Sequence, residues 1–181
     1  MVTIGVLSIQ GDVSEHVSAV KNALDKCKIR GAVLEVKTKQ QISRIDALII
    51  PGGESTTIGM LLDKTGINNE IKKLSGKIPI MGTCAGAILL RQLGLMDISV
   101  KRNAFGRQRE SFEVEIESKI GKIQGIFIRA PLIESVGEGV EVLGRYDGKI
   151  VMVRQDKNLA VAFHPELTED TLVYEYFLKL I

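Results

Sequence analysis

Tryptophan is absent from this chain of 181 residues, and aromatic residues make up only 4% of it. Stacking platforms for single-stranded nucleic acid are built from aromatic side chains, so that class of binder is disfavoured at once. Charge of one sign is also lacking. A formal net charge of +2 points to neither a nucleic acid nor a membrane as partner. Cysteine and histidine occur twice each and always singly, as Cys27, Cys84, His16 and His164. Without Cys-x-x-Cys or ligand spacing, neither a disulfide framework nor a structural metal site is expected, no cofactor is called for, and the expected compartment is the cytoplasm. Long hydrophobic runs are missing too. The first apolar stretch, Thr3 to Ile9, has no basic segment before it and stops at Gln10-Gly11-Asp12, which fits neither a membrane span nor a signal peptide.

What remains is the composition of an ordinary globular protein, 45% apolar and 25% charged, long enough for one domain over residues 1–181. The first half alternates strand and helix signals. Thr3–Ile9, Ala32–Lys37, Ala47–Ile50 and Ile78–Gly82 read as buried strands. Between them, helices are expected from a capping-box pair, Asp12 and Glu15, to about Lys26, over about Thr56–Leu62 and Asn68–Leu74, and then over Ala85–Leu93. Such alternation implies a mostly parallel sheet covered on both faces. The second half turns antiparallel. Phe112–Glu117 and Lys122–Arg129 read as strands, Val140–Tyr146 and Lys149–Arg154 flank the hairpin signal Asp147-Gly148, Leu159–Phe163 is a last strand, and Thr168–Leu180 a closing helix.

The segment Ile78-Pro-Ile-Met-Gly-Thr-Cys84-Ala-Gly-Ala reads as strand, sharp turn and helix, with a glycine two residues to either side of Cys84. That is the nucleophile-elbow pattern. It lifts the sulfur to the carboxyl edge of the sheet, where open α/β sheets place their sites, and sets it at a helix N-terminus that favours the thiolate. The N–H of Ala85 then stands ready to stabilise an oxyanion. Cys27, in Lys26-Cys-Lys28, has no such setting and reads as structural. His164 lies in Phe163-His-Pro-Glu166, where Pro165 holds the histidine extended, and positions i and i+2 of an extended segment face one side. His164 and Glu166 can therefore serve as base and orienter for Cys84. His16, one turn into the first helix, reads as a surface or partner-facing residue and is the one other candidate base.

Pro51-Gly-Gly-Glu-Ser-Thr-Thr57 follows a strand and reaches the same sheet edge. It lacks the Lys-Ser/Thr ending of a phosphate loop, so an oxyanion donor near Gly53 and a contact from Glu54 to a substrate amine are the preferred reading over a phosphate cradle. In the basic run Lys101 to Arg109, one Arg can meet a substrate carboxylate, or the run is a solvated loop.

These segments, with Gly5-Val-Leu-Ser-Ile-Gln-Gly11, Arg102-Asn-Ala-Phe-Gly-Arg-Gln108 and Phe127-Ile-Arg-Ala-Pro131, closely resemble the glutaminase-subunit family of pyridoxal 5′-phosphate synthase, within the class I glutamine amidotransferases. The resemblance covers nearly the whole chain. It implies a flavodoxin-like three-layer α/β fold that hydrolyses L-glutamine and supplies ammonia to a synthase subunit in a hetero-oligomer. It implies Cys84, His164 and Glu166 as the triad. Gly53, Glu54, Ser55, Arg102, Ile128 and Arg129 are implied as glutamine-site positions, and the Gln10-Gly11 turn as the part that meets the synthase. Leu90-Arg-Gln-Leu-Gly-Leu-Met96 runs on without the insert that family members often carry there. Two other readings stay open at this point: a regulatory subunit that kept the fold without the activity, and a sister glutaminase such as the one serving imidazole glycerol phosphate synthesis.

Overall fold

Residues 1–102 and 111–181 are described by the structure, a computed structural model. Of the basic run read from the sequence, all but Lys101 and Arg102 lies outside the described residues. In chain order the elements are β1 (Val2–Leu7), α1 (Val13–Lys26), β2 (Gly31–Val36), α2 (Lys39–Ile42), β3 (Ala47–Ile50), α3 (Ser55–Thr65), α4 (Ile67–Leu74), β4 (Ile80–Thr83), α5 (Ala85–Gln92), β5 (Ile98–Lys101), β6 (Ser111–Ser118), β7 (Gly121–Ile128), β8 (Leu132–Val136), β9 (Val140–Tyr146), β10 (Lys149–Gln155), β11 (Asn158–Val161), a 3₁₀ turn (Pro165–Leu167) and α6 (Leu172–Leu178).

Strands buried on both faces need apolar residues at successive positions, and β3 and β11 are buried throughout. The sheet runs β2-β1-β3-β4-β11-β10-β9-β6-β7. Its first five members pair in parallel, and from β11 onward the pairing is antiparallel. Alternate side chains of β1 and β3 feed two cores. Ile4, Val6, Ala47 and Ile49 meet α1 and α6 on one face, and Leu48 and Ile50 meet α3, α4 and α5 on the other. The expected three-layer α/β arrangement with an antiparallel extension is therefore found. No helix among the described residues is long and apolar enough to cross a membrane.

The β9–β10 hairpin turns at Asp147 (φ 49°) and Gly148 (φ 72°), the positive pair that a two-residue hairpin of right-handed twist requires. Two local expectations fail, the capping-box pair and the start of the last helix, each for a visible reason. Asp12 is the N-cap residue of α1 but makes no capping bond, because its carboxylate turns to His164 Nδ1 at 3.4 Å. Glu15 accepts a hydrogen bond from Ser14 Oγ at 2.9 Å instead of closing a capping box. The last helix begins at Leu172 rather than near Thr168. There the Thr168 hydroxyl donates to the Pro165 carbonyl at 3.2 Å, and Asp170 Oδ1 accepts from the Leu172 N–H at 2.9 Å, local bonds that hold the chain in a turn. The short elements α2, β5 and β8 lie outside the elements expected from the sequence. For α2 the signal was present, since Thr38 and Gln41 form a capping box.

The turn from β4 into α5 sets the position of Cys84, whose backbone is strained at φ 49°, ψ −108°. This costs on the order of 1–3 kcal/mol and is held by close backbone packing on both sides. A Cβ on Gly82 would strike the Gly86 carbonyl, and one on Gly86 would strike the Ile50 carbonyl of β3. Gly86→Ala is therefore expected to lower unfolding stability by about 1–3 kcal/mol, as overpacking does. Gly59→Ala, within α3 and 3.8 Å from its nearest neighbour, Leu89, should instead raise stability by up to about 1 kcal/mol. Urea titration of both variants checks the pair.

Candidate active site

Three side chains from two turns, one after β4 and one after β11, meet at the carboxyl end of the parallel strands. Cys84 caps α5, and its N–H donates to the Val161 carbonyl of β11 at 2.8 Å. His164 follows β11, and its N–H donates to the Ile126 carbonyl of β7 at 2.7 Å. Its backbone (φ −105°, ψ 88°) avoids the α region, which the following proline disfavours, but stops short of the fully extended form expected from the sequence. Glu166 arrives by a route the sequence did not suggest. It lies in the 3₁₀ turn rather than on an extended strand, and the turn folds its carboxylate back so that Oε1 accepts from His164 Nδ1 at 2.6 Å. All three residues are buried.

The pair is electrostatically tuned. Burial alone would pull the His164 imidazolium down from its ordinary value. Hydrogen bonds to Cys84 and Glu166, with the Glu166 charge, outweigh burial and raise its pKa to about 10. With Nδ1 committed to Glu166, Nε2 is the nitrogen left for Cys84. A proton-bearing histidine against a cysteine is a nucleophile and its acid–base partner in hydrogen-bond reach.

These residues open on a cavity of about 480 Å³. Gly53, Glu54, Ser55, Arg102, Ile128 and Arg129 all line it, and so does Ala85. As the first residue of α5, Ala85 carries an N–H with no partner inside the helix. The glycine loop is pinned from two sides. The Gly52 N–H donates to Thr83 Oγ1 at 3.1 Å, and the Glu54 N–H donates to Gln10 Oε1 at 3.0 Å. A Cβ on Gly52 would stand 2.7 Å from His164 Cε1 and 3.3 Å from Cys84 Cβ, so only glycine lets the loop approach the pair. Glu54, exposed, caps α3. Bonds from the Thr57 hydroxyl and from the N–H groups of Thr57 and Thr56 lower its pKa to about 2, so it presents a fixed negative charge at the rim. Arg102 Nη1 donates to Thr56 Oγ1 at 2.8 Å, which leaves positive charge facing the same opening. Gln10 and Gly11 are exposed beside the loop. A depression of about 580 Å³ between α5, β5 and β8 is lined by Ser99 and Ser135 but, among the described residues, by no cysteine or histidine.

Sequence reasoning missed two features of this site. Asp12 lines the cavity, and burial raises its carboxyl pKa despite the opposing His164 charge. Asp12, His164 and Glu166 each bring one potential ligand atom within 4.8 Å of the others. Two donors sharing a zinc-sized ion at ~2.1 Å stand roughly 3 Å apart or more, so the 2.6 Å between Nδ1 and Oε1 suits a shared proton better. The second feature is His16. It is no surface residue but fully buried, and contacts Thr83, Tyr174 and Glu166. Its spacing of three, four, seven and eight from Ala19, Val20, Ala23 and Leu24 puts it on the apolar face of α1, and that was the available signal.

Residues 6–181 match the model of the SNO glutamine amidotransferase family. The chain is 51% identical to a pyridoxal 5′-phosphate synthase subunit PdxT of Methanothermobacter thermautotrophicus, over 99% of this chain and 96% of the relative. It is likewise 51% identical to the subunit of that name from Archaeoglobus fulgidus, over 98% of this chain and 97% of the relative. Among solved structures, one described as a glutamine amidotransferase superposes with a TM-score of 0.88 at 48% identity, over 98% of this chain and 97% of that one.

The raised His164 pKa makes a sign-definite prediction. Between the unfolded value near 6.5 and the folded value of about 10, the native state holds a proton that the unfolded chain has released. Stability from this group is complete below pH 6.5 and is lost as pH rises toward 10. Urea titrations across that window should show wild type weakening with pH, and a flatter profile for His164→Gln.

Proposed function

This chain belongs to the SNO glutamine amidotransferase family, and from that premise we propose that, as one cytoplasmic domain over residues 1–181, it hydrolyses L-glutamine to L-glutamate and ammonia and hands the ammonia to a synthase subunit that makes pyridoxal 5′-phosphate. The observation that carries the reading is the buried pair of contacts at His164, to Glu166 at 2.6 Å and to Cys84, opening on a cavity lined by the glycine loop. The shared name of the PdxT relatives supports this destination for the ammonia over a sister pathway.

In this mechanism the Cys84 thiolate attacks the carbonyl carbon of the glutamine side chain. The developing oxyanion takes hydrogen bonds from the Ala85 N–H and from the backbone near Gly53. His164, held by Glu166, gives its proton to the departing nitrogen, and ammonia leaves a thioester on Cys84. Water then attacks the thioester with His164 as base, releasing glutamate and restoring the thiolate. Glu54 and Arg102 at the rim carry charges opposite to the glutamine ammonium and carboxylate, so Glu54 holds the amine, and Arg102 or Arg129 the carboxylate. Ser55 and Ile128 complete the glutamine site. Gln10 and Gly11, which touch the glycine loop from the exposed side, form the edge the synthase meets, so docking can complete the oxyanion site.

Ammonia release from glutamine should be low for the chain alone and should rise when the synthase is added. Cys84→Ala should abolish it in both conditions, by at least about 10³-fold, the scale seen when a nucleophile is removed. Turnover retained in the variant would rule the assignment out.

A further inference from the structure

The triad accounts for one oxygen of Glu166. The other, Oε2, is fully buried and has no hydrogen-bond partner in normal geometry among the described residues. A buried carboxylate oxygen in that state calls for an explanation. The group that faces it is His16 Nε2, at 3.5 Å, on a side chain equally buried. The same Nε2 lies 3.0 Å from Thr83 Oγ1, and on the far side of the ring Nδ1 lies 2.8 Å from the Tyr174 hydroxyl.

Resting on the amidotransferase reading above, we propose that His16 is a positioning residue: its Nε2–H, fixed in place by Tyr174, holds the second oxygen of Glu166 and the hydroxyl of Thr83, and so ties the triad to the glycine loop. The tautomer follows from the geometry. With the hydrogen on Nδ1, a lone pair of Nε2 would point at a buried carboxylate oxygen. With Tyr174 donating to Nδ1, the hydrogen sits on Nε2 and faces both acceptors. Burial keeps His16 neutral and Tyr174 protonated, which is the state this chain of bonds needs. Thr83 completes the link, since its oxygen also accepts the Gly52 N–H at 3.1 Å. One imidazole thus bridges α1, α6, the end of β4, the glycine loop and the orienting carboxylate of His164. At 3.5 Å the contact with Glu166 is longer than a formed hydrogen bond, and a small shift of Glu166 or α1 would make one.

Two readouts test this together. The first is kcat and KM for glutamine hydrolysis by the chain in complex with its synthase. The second is the NMR titration of His164 in the free chain, where Asp12, Glu15, His16, Cys84, Glu166 and Tyr174 are the titratable neighbours. His16→Leu should leave Glu166 without its N–H. It should lower kcat by about 10- to 100-fold, the usual cost of losing a partner that orients a functional group, with KM little changed. The His164 midpoint, about 10 in wild type, should fall by more than about one pH unit. His16→Gln, whose amide N–H₂ reaches the position of Nε2, should restore both readouts to within a few-fold of wild type. If His16→Leu does not fold, Tyr174→Phe carries the test: it removes only the group that fixes the tautomer, and should lower kcat at unchanged KM. An unmoved kcat and titration in His16→Leu or Tyr174→Phe, or a His16→Gln protein as impaired as His16→Leu, would overturn the proposal. The titration decides it even if wild type releases no ammonia, an outcome that would sink the amidotransferase reading instead.

Discussion

The backbone crossing where β4 turns into α5 is the constraint on which the site depends. Cys84 sits at φ 49°, ψ −108°, and the chain can hold it there only because Gly82 and Gly86 carry no side chains at their contacts with one another and with β3. Gly52 repeats the device from the neighbouring strand end, where any side chain would press on His164. Three strand ends therefore converge more closely than side chains would permit. Their close approach brings a nucleophile, a base and a donor loop to one cavity mouth. The parallel half of the sheet supplies the rigidity, since the strands that carry these turns are buried on both faces between two separate cores.

The second layer is electrostatic. A histidine this buried would ordinarily give up its proton, yet His164 holds it to about pH 10 because Cys84 and Glu166 bind it from both sides. Glu166 is itself buried, so its charge is tolerable only among donors. His164 supplies one and His16 faces the other oxygen. The polar groups beneath the site thus form one connected set that reaches from the cavity through Glu166 to Tyr174 in the final helix.

Much of this could be read without coordinates. Gly82-Thr-Cys-Ala-Gly86 announces an elbow because the steric rule for that turn is local, and Asp147-Gly148 announces a hairpin for the same reason. The parallel half was legible because fully apolar runs have few other destinations in a chain of this length. The failures at Asp12 and His16 share one physical origin, which is that they depend on distant partners, whereas the late start of α6 is set by local turn bonds. Asp12 abandons its cap for a histidine in the far C-terminal part of the chain, and His16 is buried against a tyrosine 158 residues away. Glu166 was placed on the correct side for an incorrect reason, since a 3₁₀ turn and not strand alternation points it at His164. The strands β5 and β8 are short, pair mainly with each other, and carry no strong alternation to announce them.

The central claim is that Cys84 is a nucleophile for a glutamine side chain, activated by His164. Its most direct measurement is mass spectrometry of the chain after exposure to an electrophilic glutamine analogue, with peptide mapping of the adduct. The account predicts one adduct at Cys84 and none at Cys27, protected by excess glutamine and strongly slowed in His164→Ala. Labelling of both cysteines at similar rates, or labelling of Cys84 that glutamine does not slow and His164→Ala does not change, would contradict it.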